Sequence, residues 1–315
     1  MMENMLTVSS SPHLSSGATT RKIMLDVIIS LVPASIAATV FFGWKSLMLI
    51  AVCVISCVVM EYICRRVMKR KNTIGDLSAV VTGLLLALNL PSGINPLIAV
   101  FGCAVAIIAV KQMFGGIGNN FVNPAITARI VLLVSFPVHM TTWEKPFEWL
   151  NTADSVTGAT PLAMMAQGEK TSYFDLLIGN TGGCLGETCV IALVLGGIYL
   201  VARRVISPVI PLCFIGTVFV LSFVLGQDPV FHILSGGVML GAIFMATDYT
   251  TSPMNTWGKV IFGIGCGIIT VLIRLYANLP EGVSFSIILM NILVPHIENL
   301  TKPRPFGKEK KNEKA

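Results

Sequence analysis

The chain has 315 residues, of which 54% are hydrophobic and only 12% charged; its mean hydropathy is +0.79 and its formal net charge +6. A single globular core of this size cannot hide that much apolar surface, so the soluble classes are excluded and lipid is the solvent for most of the chain. The first 20 residues are polar and serine-rich, without the pattern of a cleavable leader, and the first apolar run is expected to serve as its own insertion signal.

Measured against a span of about 20 residues, the sequence predicts an all-α integral membrane protein with ten transmembrane runs. In order they are Ile23 to Phe42, Ser46 to Val67, Leu77 to Leu90, Pro96 to Met113, Val122 to Val138, Thr188 to Val205, Val209 to Gly226, Phe231 to Thr247, Val260 to Tyr276 and Val283 to Ile297. The third and eighth are short. Basic residues orient the chain: Arg21 and Lys22 precede the first run, Arg65, Arg66, Lys69, Arg70 and Lys71 follow the second, Arg203 and Arg204 follow the sixth, and Lys302, Arg304, Lys308, Lys310, Lys311 and Lys314 close the chain. Ten spans bring all four clusters to one side. Both termini are therefore expected in the cytoplasm of a bacterial or archaeal cell, with the connection 139–187 outside.

That layout divides the chain into a cytoplasmic segment 1–22, a five-helix unit 23–138, the external connection 139–187, a second five-helix unit 188–298 and a basic tail 299–315. A shift of 158 residues lays Gly83-Leu84-Leu85-Leu86-Ala87 over Gly241-Ala242-Ile243-Phe244-Met245. Five is odd, so a second unit of five spans is inverted relative to the first, and the short third and eighth runs at matching positions predict broken helices at the interface of two inverted repeats. Ordinary short spans between tight turns are the plainer alternative.

The connection contains Asp154-Ser155-Val156-Thr157-Gly158-Ala159-Thr160-Pro161-Leu162. Pro161 biases Thr160 toward extended backbone, and the small Gly158 and Ala159 leave its hydroxyl held out from a narrow neck. The plainer reading is a helix-capping turn with Asp154 or Thr157 as the cap. The pattern Asp-x-x-(Ser/Thr)-Gly-Ala-Thr resembles the acceptor at which a flavin transferase joins FMN to threonine through a phosphoester in the NqrB/RnfD family. That family comprises subunits of the Rnf ion-translocating oxidoreductase and of the sodium-translocating NADH:quinone oxidoreductase. Ser11-Pro12-His13, Thr19-Thr20 and Gly115-Gly116-Ile117-Gly118-Asn119-Asn120-Phe121-Val122-Asn123-Pro124-Ala125 extend the resemblance over most of the chain.

The resemblance implies covalent FMN on Thr160, with Asp154, Thr157, Gly158 and Ala159 completing the acceptor motif. It also implies partner subunits of an Rnf-type complex that relays electrons between ferredoxin and NAD while moving Na+ or H+. The chain contains an internal control, because Ser16-Gly17-Ala18-Thr19 repeats the tetrapeptide; there His13 replaces the acid, and the predicted topology puts Thr19 on the cytoplasmic side, away from an exported transferase. Absence of a P-loop and of a Rossmann G-x-G-x-x-G places the NAD site on another polypeptide, and nucleic acid is not an expected partner. The quinone-reducing relative, a flavin-free secondary transporter or channel, and a passive membrane anchor are the competing readings.

Near the glycine turn, Asn120 and Asn123 read as helix caps, and the resemblance leaves room there for a second, noncovalent flavin such as riboflavin, or a quinone-like ligand. Of the ionisable residues Asp26, Glu61, Lys111, Arg129, Glu187, Asp228, Asp248 and Arg274, most fall near predicted span ends, where interfacial placement is the cheaper arrangement. Arg129 lies inside the fifth run, placed to face a flavin phosphate or to pair with an acid. Among the eight cysteines there is no C-x-x-C and most sit in apolar runs, which predicts packed thiols; Cys184 and Cys189 border the connection, where a pair or a contact with a partner's cofactor is the alternative.

Overall fold

Thr19 adopts an extended backbone and accepts a hydrogen bond from the Lys22 N–H at 3.4 Å, so the second copy of the tetrapeptide caps helix α1 (Thr20–Phe42). The computed structural model describes residues 19–150, 157–169, 171–277 and 282–302. Gly43, at φ 72°, ends α1 and turns the chain into α2 (Trp44–Val67). A 3-10 turn at Ile74–Asp76 precedes α3 (Ser78–Leu88), and α4 (Pro96–Ala104) continues as a π-helical stretch, Val105–Gln112. Asn123 caps α5 (Pro124–Ser135) by accepting from the Ala125 and Ile126 N–H groups, as its position before a proline predicts.

The connection is folded. It holds α6 (Pro137–Met140), a hairpin of β1 (Trp143–Glu144) and β2 (Thr157–Gly158) in antiparallel register, α7 (Pro161–Ala166) and α8 (Tyr173–Ile178). Beyond it run α9 (Val190–Ala202), α10 (Val209–Val224), the broken pair α11 (Pro229–Leu234) and α12 (Val238–Leu240), the latter extended by a π-helical stretch Gly241–Met245, then α13 (Thr256–Tyr276) and α14 (Gly282–Thr301).

Every predicted apolar run is therefore helical over much of its length. Among the described residues, four helices, α1, α2, α13 and α14, are long and apolar enough to cross a membrane by length and composition. The rest are shorter. Helix α3 has 11 residues, which at 1.5 Å per residue is roughly 16 Å, about half the hydrocarbon thickness. The eighth run breaks at Ser235-Gly236-Gly237.

Packing is pairwise: α2 against α3 and α4, α10 against α11 and α13, α13 against α14, α1 against α9, and α5 against α14. One core runs through these contacts and includes Leu86, Ala87, Leu88, Ile126, Phe214, Leu240 and Phe262. The expectation that ionisable residues sit at span ends in the interface fails most plainly for Glu61 and Lys111. Glu61 on α2 and Lys111 on the π-helical stretch are both fully buried, with Lys111 Nζ 2.8 Å from Glu61 Oε2 and 2.6 Å from Ser78 Oγ. Gln112 Nε2 and Thr73 Oγ1 donate to the other Glu61 oxygen. A buried charge is tolerated only when paired and hydrogen-bonded, and periodicity along one helix cannot show a partner that lies on another.

Gly83 lets α3 approach α2 closely: a β-carbon there would lie 2.9 Å from the Cys53 carbonyl oxygen and from Val54 Cα. Gly216 on α10 has open space around it. Gly83→Leu should cost about 1–3 kcal/mol through overpacking and visibly lower the thermal unfolding midpoint in detergent, whereas Gly216→Ala should leave it unchanged or slightly higher.

Candidate functional site

Thr160 has φ −70° and ψ 155°, the extended backbone expected before proline. Its hydroxyl is not held out from a neck. The residue is only 8% exposed and is itself the cap of α7, its Oγ1 accepting from the Ala163 N–H at 3.3 Å. The cap is therefore Thr160 and not Thr157. Gly158 is paired to Trp143 and Ala159 is exposed; Asp154 lies outside the described residues. The strand next to Thr160 is fixed by Glu144 on β1, which accepts from Lys45 Nζ at 3.1 Å and from Ser92 Oγ at 2.9 Å. The hairpin is thereby tied to the α1–α2 and α3–α4 turns.

Thr160 opens into a narrow cleft lined by Leu176, Thr181, Gly182, Gly183, Glu187, Thr188, Ser235 and Gly236. The buried Thr188 Oγ1 and Ser235 Oγ find no hydrogen-bond partner among the described residues. Close behind them, Arg274 donates to the carbonyls of His232 and Ser235 at 2.6 and 3.0 Å, while its Nε and both ring nitrogens of His232 are likewise unpartnered. Buried polar atoms are almost always satisfied, so this concentration around one threonine marks a place prepared for a polar group. The unpartnered hydroxyls of Thr188 and Ser235 lie in the cleft beside glycines, and Arg274 is held behind Ser235.

Arg129 does not line the cleft. It stands behind Glu187, with NH2 3.3 Å from Glu187 Oε1 and 3.2 Å from Cys184 Sγ, and NH1 3.0 Å from Asn89 Oδ1 and 3.2 Å from Ser284 Oγ. Of its two predicted roles the structure realises the ion pair. Cys184 is free, as is Cys189; burial pushes the Cys184 thiol up to about 12, although the adjacent Arg129 works in the opposite direction.

Asn120 and Asn123 belong to a different place. They line a cavity of about 430 Å³ together with Thr20, Ser78, Lys111, Phe244 and Asp248. Ser78 is the first residue of α3, while Leu88 at its other end meets Gly186 beside the Thr160 cleft. The cavity runs along α3 from Ser78 to Leu85, and the cleft lies beyond the other end of that helix. Asp248 accepts from Thr250 and Thr251 hydroxyls at 2.9 and 3.2 Å, and burial raises its pKa. Sequence reasoning assigned no role to Glu144, Thr188, Ser235 or Arg274 at the Thr160 site. Each is remote in sequence from the nonapeptide, and only the fold gathers them.

Fold and sites together define a multi-pass helical membrane protein with a polar cleft at one end and a large cavity at the other. The chain belongs to the NQR2, RnfD, RnfE family, whose model it matches over residues 7–307. It is similar to the D subunit of the Na(+)-translocating ferredoxin:NAD(+) oxidoreductase complex of Acetobacterium woodii, with 48% identity over 322 residues and 100% of each chain covered. It is also similar to the D subunit of the proton-translocating ferredoxin:NAD(+) oxidoreductase complex of Clostridium ljungdahlii, 41% identical with 97% of each chain covered. The D subunit of the ion-translocating oxidoreductase complex of Stutzerimonas stutzeri is 39% identical over 91% of this chain and 92% of its own.

Removing one member of a buried ion pair strands the other, at about 3–5 kcal/mol, whereas replacing both with neutral groups is far cheaper. Arg129→Ala should sharply lower the yield and unfolding temperature of detergent-purified protein. The double substitution Arg129→Met with Glu187→Gln should recover most of the loss.

Proposed function

We propose that this chain is the D subunit of an ion-translocating ferredoxin:NAD oxidoreductase complex, carrying FMN esterified to Thr160. The observation that carries the flavin assignment is the pair of unpartnered buried hydroxyls, Thr188 Oγ1 and Ser235 Oγ, that line the cleft with Thr160, backed by Arg274, which holds the Ser235 carbonyl. Covalent FMN supplies a carrier that exchanges one or two electrons. The chain's own residues hold and orient it. In the capping bond Thr160 Oγ1 is an acceptor, so an ester oxygen can keep that bond and only the hydroxyl proton is given up. Glycines 182, 183 and 236 leave room for phosphate oxygens next to backbone, and the cleft is too tight for a ring system, which directs the isoalloxazine outward toward partner subunits.

The 430 Å³ cavity has the volume of a cofactor pocket. Mostly apolar walls with Asn120, Asn123, Lys111 and Ser78 as convergent polar groups suit a noncovalent flavin such as riboflavin. Basic clusters lie at this end of the protein, which favours a cytoplasmic placement for the cavity and both termini, in the cell's inner membrane, with Thr160 outside where an exported flavin transferase reaches it. Ferredoxin and NAD would bind other subunits. The packing pattern supports the inverted repeat: α2 with α4 corresponds to α10 with α13, α4 with α5 to α13 with α14, and the pairs α1–α9 and α5–α14 join equivalent helices of the two units.

The test is in-gel flavin fluorescence of the chain co-expressed with a flavin transferase. Fluorescence is expected for the unsubstituted chain and for Thr19→Ala, and its loss is expected for Thr160→Ala. Arg274→Gln should retain the protein in the membrane with several-fold weaker labelling. Equal fluorescence from Thr160→Ala would sink the assignment.

A further inference from the structure

Outside the two sites, a cluster of basic residues without acidic partners among the described residues lies where α2 ends. A cavity of about 400 Å³ there is lined by Tyr62, Arg65, Arg66, Lys69, Arg70 and Asn72. No carboxylate pairs with any of its four cations among the described residues. Glu61, the acid one turn earlier on α2, is already taken by Lys111 and Gln112.

Arg65 decides the matter between a topology signal and a site. A signal needs only positive charge in water, and cations at a helix C-terminus are favourable in any case. Yet Arg65 is 8% exposed, its NH2 packs over Gly116, its one hydrogen bond is a long 3.4 Å contact to the Lys71 carbonyl, and its buried Nε has no partner. A guanidinium buried to that degree, with an unpartnered Nε and no acid beside it, is suited to an anion entering the cavity that it lines. Arg70 is fixed alongside it by donation to the Gln112 carbonyl at 3.1 Å, and Arg66 by donation to the Tyr62 hydroxyl at 3.0 Å. The site is built, and it is built for phosphate.

The source of that phosphate is indicated by what lies beneath. Ile55, Val59 and Tyr62 are exposed and, at spacings of four and three residues, form one row on α2 that leads up to Arg66. An apolar track ending in a basic cavity at the membrane boundary matches one acyl chain and its head. We infer that the end of α2 is a binding site for an anionic glycerophospholipid, whose phosphodiester sits among Arg65, Arg66, Lys69 and Arg70 with a chain along Ile55, Val59 and Tyr62.

The full chain, extracted in mild detergent with its native lipids, would be weighed by native mass spectrometry and then titrated with phosphatidylglycerol, phosphatidylcholine and inorganic phosphate. The inference expects retained phosphatidylglycerol or cardiolipin, little phosphatidylcholine, and at least a tenfold loss of retention in the exposed-residue variant Arg66→Gln with Lys69→Gln, its fold checked by an unchanged unfolding temperature. Ile55→Asn with Val59→Asn should weaken phosphatidylglycerol without affecting inorganic phosphate. Equal retention by the basic-site variant, equal retention of phosphatidylcholine, or displacement of the lipid by millimolar inorganic phosphate would each overturn the lipid site; the last would leave a free-anion site in its place. Binding of an acidic peptide in preference to lipid would overturn it as well.

Discussion

The guanidinium of Arg129 holds the centre of this protein. From α5 it reaches Asn89 at the end of α3, Ser284 on α14, and Cys184 and Glu187 in the connection. Helices from both halves and the loop that carries Thr160 are joined through one residue that is 3% exposed. In an apolar interior such a charge cannot be left unpaired, so all four partners are held in register or none is. Helix α3 can end inside the protein because its last turn is held there: Arg129 donates to Asn89, Asn89 to the Leu85 carbonyl and the Gly186 N–H to the Leu88 carbonyl.

The same network continues in both directions. Asn89 Nδ2 lies 3.6 Å from Met245 Sδ, and Asn123 Nδ2 donates to the Met245 carbonyl at 3.2 Å, which brings the thread to the cavity wall; on the other side Glu187 lines the Thr160 cleft. The cavity and the Thr160 cleft thus share one polar connection through the middle. The hydrocarbon core is about 30 Å thick, too far for a single useful electron hop, so the flavin proposed for the outer face would need a partner subunit with a centre of its own between the two surfaces. Coupling of a redox change to ion movement, as proposed, further requires an element with two arrangements that the redox state biases, and the Arg129 network is where such a change would be felt at both the cleft and the cavity.

Much of this was legible in the sequence for plain reasons. Apolar run length located the helices, proline after threonine set the Thr160 backbone, and asparagine before proline announced the cap at Asn123. What was illegible required a second strand of chain. Glu61 and Lys111 looked like interfacial charges because each was read against its own helix, although they neutralise each other 50 residues apart. The nonapeptide suggested a presented hydroxyl, but Glu144 pulls the hairpin down on the α1–α2 and α3–α4 turns, so that Thr160 is tucked into a cleft. Thr188 and Ser235 carry no motif, and their unpartnered hydroxyls become visible only when the fold brings them to the cleft of Thr160, with Arg274 behind Ser235.

The account stands or falls on the two ends of the protein facing opposite compartments. The most direct measurement is labelling by a membrane-impermeant maleimide of Gln167→Cys, beside the Thr160 cleft, and Lys71→Cys, in the basic turn after α2, in intact cells and in inverted vesicles, with the unsubstituted chain as background. The account predicts that Gln167→Cys is labelled in intact cells and Lys71→Cys only in inverted vesicles. Labelling of both from the same side would contradict it.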